Sequence, residues 1–125
     1  MQILIVDDHA GVRQLIREML AECLPMPAGR ELAFHECSDG EAAIDALTRT
    51  RPELVTVDLR MPGMNGLDCV RRLRDQLPLA CIVVVTQYGH ESLHGRARIA
   101  GADSVVLKDD ISQLQDITRG YLKRR

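Results

Sequence analysis

The sequence is poor in rings. Its aromatic residues are Phe34, Tyr88 and Tyr121, with no tryptophan, 2% of 125 residues. That excludes stacking platforms for single-stranded nucleic acid, and sugar sites of the same kind, which need exposed rings. Lysine is scarcer still: of 16 basic residues only Lys108 and Lys123 are lysines. Arginine and lysine are not interchangeable at a small anionic site, so the one lysine before the final residues marks a position to follow. No C-x-x-C pair occurs. Cys23, Cys37, Cys69 and Cys81 are separated by 14, 32 and 12 positions. This spacing does not fit a zinc ribbon and reads as buried thiols in a reducing compartment. No G-x-G-x-x-G follows an apolar run, so a dinucleotide site is excluded. No apolar run approaches a membrane span or a signal core, and the start lacks basic residues, which predicts a cytoplasmic protein with no membrane partner.

What is present suits one globular domain over residues 1–125. Hydrophobic residues make up 46% and charged residues 27%. The 16 basic against 18 acidic residues leave no cationic excess for direct contact with nucleic acid.

The hydrophobic pattern alternates between strand and helix. Short apolar runs at Ile3–Val6, Leu32–Cys37, Leu54–Val57, Cys81–Val85 and Ser104–Leu107 read as strands, most of them buried on both faces. Helical periods fall at about 10–23, 41–50, 66–76, 90–100 and 111–123. Leu24-Pro25-Met26-Pro27-Ala28-Gly29 and Met61-Pro62-Gly63-Met64-Asn65-Gly66 read as loops. Five strands alternating with five helices predict an α/β fold, a parallel sheet doubly wound by right-handed crossovers.

In such a sheet, ligands bind beyond the carboxyl ends of the strands. The first strand delivers Asp7 and Asp8 there, the third Asp58, the fourth Thr86 and the fifth Lys108. Singly, each has a plain structural reading: Asp8 or His9 as a helix cap, Asp58 as the start of a turn, Lys108 as a surface charge. Together they are a chemical set. Three close carboxylates repel one another, and a hard divalent cation such as Mg²⁺ relieves that repulsion. A carboxylate beside the ion can attack phosphorus, with lysine and a hydroxyl meeting the phosphoryl oxygens.

Val6-Asp7-Asp8-His9, Val57-Asp58-Leu59-Arg60-Met61-Pro62-Gly63-Met64-Asn65-Gly66, Val85-Thr86 and Leu107-Lys108 together resemble the receiver domain of two-component response regulators, in the right order over the whole chain. The resemblance implies the flavodoxin-like strand order 2-1-3-4-5. It implies phosphoryl transfer onto Asp58 from a histidine kinase or phosphotransfer protein, and no enzymatic activity beyond self-phosphotransfer and autodephosphorylation. It also implies Mg²⁺ held by Asp8, Asp58 and the Arg60 main-chain carbonyl, with Asp7 acting through water, while Thr86 and Lys108 read the phosphoryl group. The faces around the fourth helix, fifth strand and fifth helix would then signal to an effector protein, an output domain or a second copy. Two alternatives stay open: the receiver part of a longer DNA-binding regulator, and a pseudo-receiver that never carries phosphate.

The chain departs from that family pattern in three places. Asp109 follows Lys108 where proline is usual. This variant resembles receivers that precede helix-turn-helix domains, as does Asp7-Asp8-His9, and it leaves the isomer of the 108–109 bond open, since a non-proline cis bond costs about 2.5–4 kcal/mol. Gln87 follows the threonine where a small residue is usual, which predicts narrowed access and a changed dephosphorylation rate. Val105 stands where a Tyr or Phe normally swings inward, so Tyr88 or the fourth helix is expected to take over transmission. Arg60, two residues after Asp58, is a further candidate for tuning hydrolysis.

Two enzyme readings fare poorly. His90-Glu91-Ser92-Leu93-His94 matches the zinc-protease pattern H-E-x-x-H, yet no histidine or glutamate follows to supply a third ligand. A haloacid-dehalogenase-type phosphatase needs an aspartate two residues after its nucleophile, and Arg60 stands there. The clusters Arg71, Arg72, Arg74 and Lys123-Arg124-Arg125 read as solvated faces and favourable helix C-termini.

Overall fold

The structure, a computed structural model, describes residues 1–24, 26 and 29–124. Of the loop read over 24–29, Pro25, Pro27 and Ala28 lie outside the described residues, as does Arg125 of the basic terminal cluster. The elements run β1 (Gln2–Val6), α1 (Ala10–Cys23), β2 (Ala33–Cys37), α2 (Gly40–Ala46), β3 (Leu54–Val57), α3 (Gly66–Gln76), β4 (Cys81–Thr86), α4 (Glu91–Ala100), β5 (Ser104–Leu107) and α5 (Gln113–Arg124). The strands form one sheet in the order β2-β1-β3-β4-β5, and every pairing is parallel. This is the flavodoxin-like order.

Side chains alternate across a strand, so the central strands feed two cores. Leu4, Val6, Val55, Val57, Ile82 and Val84 face α2, α3 and α4. Ile3, Ile5, Leu54, Cys81, Val83 and Val85 face α1 and α5. The faces of the central strands are therefore apolar apart from the buried Thr56, and the charged side chains leave these strands at their ends.

Local chemistry sets the boundaries. Asp39 caps α2, its carboxylate accepting from Ala42 N–H at 2.7 Å. Asn65 does the same for α3 at Leu67 N–H, 2.8 Å. The second helix stops at Ala46 rather than near 50. Its last residues close into tight turns, and the Thr48 hydroxyl donates to the Asp45 carbonyl at 2.8 Å, competing with the helical ladder. The fourth strand runs one residue beyond expectation because Thr86 pairs with Leu107. The fourth helix begins at Glu91, with His90 as its cap residue. The fifth helix begins at Gln113, since Lys108–Asp110 form a 3₁₀ turn first. No cis peptide occurs among the described residues, so Lys108–Asp109 is trans.

One glycine matters for the site. A Cβ on Gly66 would lie 2.4 Å from the Leu59 Cα and 2.5 Å from its carbonyl oxygen. Only glycine lets the start of α3 approach the backbone that follows Asp58 this closely.

Candidate functional site

β1 and β3 are neighbours in the sheet, and their ends bring Asp7 and Asp58 side by side. Asp7 N–H donates to Cys37 O and Asp58 N–H to Val6 O, each at 3.0 Å, which ties both residues to adjacent strands. Asp7 is 1% exposed and Asp58 3%. Asp8 and His9 follow on the exposed side. Ligand atoms of Asp7, Asp8, His9 and Asp58 all lie within 4.8 Å of one another. His9 takes the cap position of α1 without a side-chain cap bond. Its Nδ1 instead sits 3.0 Å from Asp8 Oδ1 and 3.3 Å from Asp7 Oδ1.

Lys108 joins the two buried acids. Its ammonium lies 2.9 Å from Asp7 Oδ2 and 3.1 Å from Asp58 Oδ2. The remaining oxygens take main-chain donors: Asp7 Oδ1 accepts from His9 N–H at 2.9 Å, and Asp58 Oδ1 from Arg60 N–H at 3.3 Å. Burial raises the Asp58 carboxyl above its ordinary value, against the lowering effect of Arg60 N–H and Lys108. Burial also works to lower Lys108, but its contacts with Asp7 and Asp58 outweigh it, and the ammonium titrates above its ordinary value. The Lys108 ammonium at 2.9 Å is the partner of the buried Asp7 Oδ2. Three carboxylates close together with a single lysine between two of them fit a hard divalent cation.

Thr86 is fully buried at the end of β4. Its Oγ accepts from Tyr88 N–H at 3.3 Å, which leaves the hydroxyl proton available. Arg60 splits its roles. Its main chain meets Asp58, while its guanidinium leaves the acids and lies 4.3 Å from the Tyr88 ring centroid. Gln87 is exposed, and its amide donates to Tyr88 Oη at 3.0 Å. His94 Nε2 reaches Tyr88 O at 3.2 Å.

The site thus gathers Asp7, Asp8, Asp58, Thr86, Lys108 and the Arg60 main chain at one sheet edge. Sequence reasoning took His9 as a cap and missed it as a neighbour of the acids, although the unbroken Asp-Asp-His run was the available signal. It also missed the Arg60–Tyr88 stack. The signal there was that each residue lies two positions beyond a site residue on adjacent strands.

The H-E-x-x-H stretch forms no metal site among the described residues. His90 is an exposed cap residue and His94 is turned to the Tyr88 carbonyl. The basic cluster on α3 needs a correction. Arg71 pairs with Asp68 at the surface, but Arg74 is no solvated charge. It donates to the carbonyls of Leu77, Pro78, Ala80 and Gly101 and to Asp103, so it clamps the end of α3 to the turn before β5. Cys23, Cys69 and Cys81 are buried thiols outside any disulfide, as expected, whereas Cys37 is only half-buried. No helix among the described residues is long and apolar enough to cross a membrane.

A doubly wound sheet of order 2-1-3-4-5, with paired acids and one lysine at its carboxyl edge, is the architecture of a signalling receiver. Residues 3–119 match the response regulator receiver domain family, and the chain belongs to that family of two-component signalling proteins. It is 32% identical over 107 residues to chemotaxis protein CheY of Thermotoga maritima, covering 86% of this chain and 84% of that protein. It is 34% identical over 107 residues to the nitrate/nitrite response regulator protein NarL of Escherichia coli, covering 86% of this chain and 47% of that protein. The chain therefore spans about half the length of NarL. Among solved structures it is similar to a LuxR-family two-component response regulator from Aurantimonas, with 28% identity, a TM-score of 0.78 and coverage of 99% of this chain and 86% of that one.

Proposed function

We propose that this domain accepts a phosphoryl group on Asp58 from the phosphohistidine of a histidine kinase or phosphotransfer protein in the cytoplasm. The observation that carries the reading is Lys108 bridging the buried carboxylates of Asp7 and Asp58. An Asp58 oxygen forms the new P–O bond as the donor's P–N bond breaks, and the departing imidazole takes up a proton. Burial starves the Asp58 carboxylate of water, which leaves its oxygens poorly solvated and ready to react. Lys108 then exchanges its Asp58 contact for a phosphoryl oxygen, and the Thr86 hydroxyl donates to another. Asp7, Asp8, Asp58 and the Arg60 carbonyl would hold Mg²⁺. When bound, that ion offsets the negative charge of the acids and the incoming phosphoryl group. Autodephosphorylation is the same exchange with water as acceptor.

The aspartyl phosphate biases the α4–β5–α5 side between two states for an effector protein, an output domain or a second copy. The 47% coverage of NarL favours a second reading alongside the first: the same receiver as part of a longer, DNA-binding regulator.

Intact-mass measurement after acetyl phosphate or a kinase donor tests the proposal, with Asp58→Asn as control. One phosphoryl group should add to the parent chain only with Mg²⁺ and not to the variant. No gain under either donor would leave the pseudo-receiver reading in its place.

A further inference from the structure

The main chain of Asp7 is held by a side chain from outside the acid cluster. Asp7 leaves the sheet once its N–H has paired with Cys37 O, and among the described residues no main-chain donor reaches its carbonyl. Arg13 of α1 does so instead, donating from Nη1 at 2.7 Å. The direction of that guanidinium is fixed from the far side. Its Nε donates to Glu36 Oε1 of β2 at 3.1 Å, and Arg17, one helical turn on, donates to Glu36 Oε2 at 3.2 Å. The Arg13 side chain is only 18% exposed. A planar fork gripped at Nε has few directions left for its other nitrogens, which lysine could not match.

We infer that Arg13 is a positioning residue for phosphoryl transfer, with Glu36 acting through it. The inference rests on the phosphoacceptor reading above and adds a second layer of residues to it. The peptide unit is planar, so a bond to the Asp7 carbonyl fixes the plane from which the Asp7 and Asp8 side chains diverge. Asp7 Oδ2 in turn holds the Lys108 ammonium, which also meets Asp58. The chain of contacts therefore runs from Glu36 on the exposed edge strand, through Arg13 and Asp7, to the lysine beside the reacting carboxylate. A small displacement of a positioned group costs far more in rate than in stability.

The test is the rate of phosphorylation of the full chain by acetyl phosphate with saturating MgCl₂, followed by intact mass. The variants are Arg13→Ala, Arg13→Lys, Glu36→Gln, the double variant Arg13→Ala/Glu36→Gln, and Arg71→Ala as a surface control. Arg13→Ala should slow the reaction at least about tenfold, Arg13→Lys should fall between it and the parent, and Arg71→Ala should stay within about twofold. Glu36→Gln should slow the reaction, yet the double variant should be no slower than Arg13→Ala alone, because Glu36 has no other route to the site. The carbonyl carbon-13 resonance of Asp7 should shift in Arg13→Ala and stay in place in Arg71→Ala, which a general loss of stability would not produce. A parent rate in Arg13→Ala, or an unmoved Asp7 carbonyl resonance, would overturn the inference. Slowing that only matches the unfolded fraction seen by chemical denaturation would overturn it too, as would effects of Arg13→Ala and Glu36→Gln that multiply in the double variant. No phosphorylation of the parent would overturn the phosphoacceptor reading as well, whereas a reactive parent with an equally reactive Arg13→Ala overturns this inference alone.

Discussion

The Arg60 guanidinium lies over the Tyr88 ring, 4.3 Å from its centroid, and so bridges the loop after Asp58 to the loop after Thr86. Each partner sits two residues beyond a side chain of the site. A cation–π contact at such an exposed position contributes about 0.5–1 kcal/mol. That is little for stability, but it is enough to bias the position of a loop at the mouth of the site.

Arg60→Ala and Tyr88→Ala should each shorten the lifetime of the aspartyl phosphate by opening the way for water. Gln87→Ala and Tyr88→Phe should resemble each other, because each removes the Gln87–Tyr88 hydrogen bond of 3.0 Å. Decay of phosphorylated protein followed by intact mass checks both points. Unchanged lifetimes in the two alanine variants would show that the stack does not shield the site.

Lys108→Ala should raise the Asp58 pKa further. Burial already raises it, and Lys108 is one of the groups holding it down. The lysine's own contribution to stability is also directional. Its folded-state value lies above the ordinary 10.5, so the stabilisation is fully present below that pH and is lost as the ammonium deprotonates in the fold. Carbon-13 NMR titration of the Asp58 carboxyl reads the first effect, and a midpoint that stays or falls would contradict it.

Thiol chemistry should separate the cysteines. Burial pushes Cys69 from 9.0 up to about 12, while Cys37 is half-buried. Iodoacetamide at mildly alkaline pH should therefore label native Cys37 first and leave Cys69 untouched until the chain unfolds. The unfolded thiol ionises above 9.0 and the native one only near 12. Stability should thus fall with rising pH across that window, by at most about 1.4 kcal/mol per pH unit for this group. Peptide mapping of labelled native protein checks the order, and early labelling of Cys69 would refute it.

Gly66→Ala should destabilise the fold and disturb the site together. The added Cβ meets backbone at 2.4 Å, which cannot swing aside as a side chain would. A loss of about 1–3 kcal/mol is expected from overpacking of this kind. Chemical denaturation measures it, and slower phosphorylation of the folded fraction would report the displaced backbone after Asp58.

Signal transmission should pass through Tyr88 rather than through β5. Val105 is half-buried against the α2–α4 side of the core and has no ring to swing. Tyr88 contacts Thr86 through its N–H and His94 of α4 through its carbonyl. Backbone NMR with Mg²⁺ and beryllofluoride should show shifts reaching Leu93 and His94, and these should shrink in Tyr88→Ala. Shifts confined to the strand ends of the parent would mean that no signal leaves the site.

Much of this was legible in the residue order. Short apolar runs alternating with helical periods determined the layers, because a strand buried on both faces must be apolar throughout. The same rule placed Asp7, Asp8, Asp58, Thr86 and Lys108 at strand ends, where polar groups are first tolerated. Boundaries were less legible where side chains competed with the backbone, as Thr48 does at the end of α2. Arg74 looked like one more surface arginine, yet its partners include Gly101 and Asp103, in the turn that the packing of α3 against α4 brings beside it.

The sequence by itself determined the doubly wound fold and the set of groups at its carboxyl edge, since both follow from local pattern and strand ends. Only the tertiary structure decided the pairings across that edge: Lys108 with Asp7 and Asp58, Arg60 with Tyr88, and His9 with the carboxylates. Those depend on which strands become neighbours and on where side chains turn once the sheet is closed on both faces. Contacts across 28 or 50 positions of chain leave no periodic trace in the sequence.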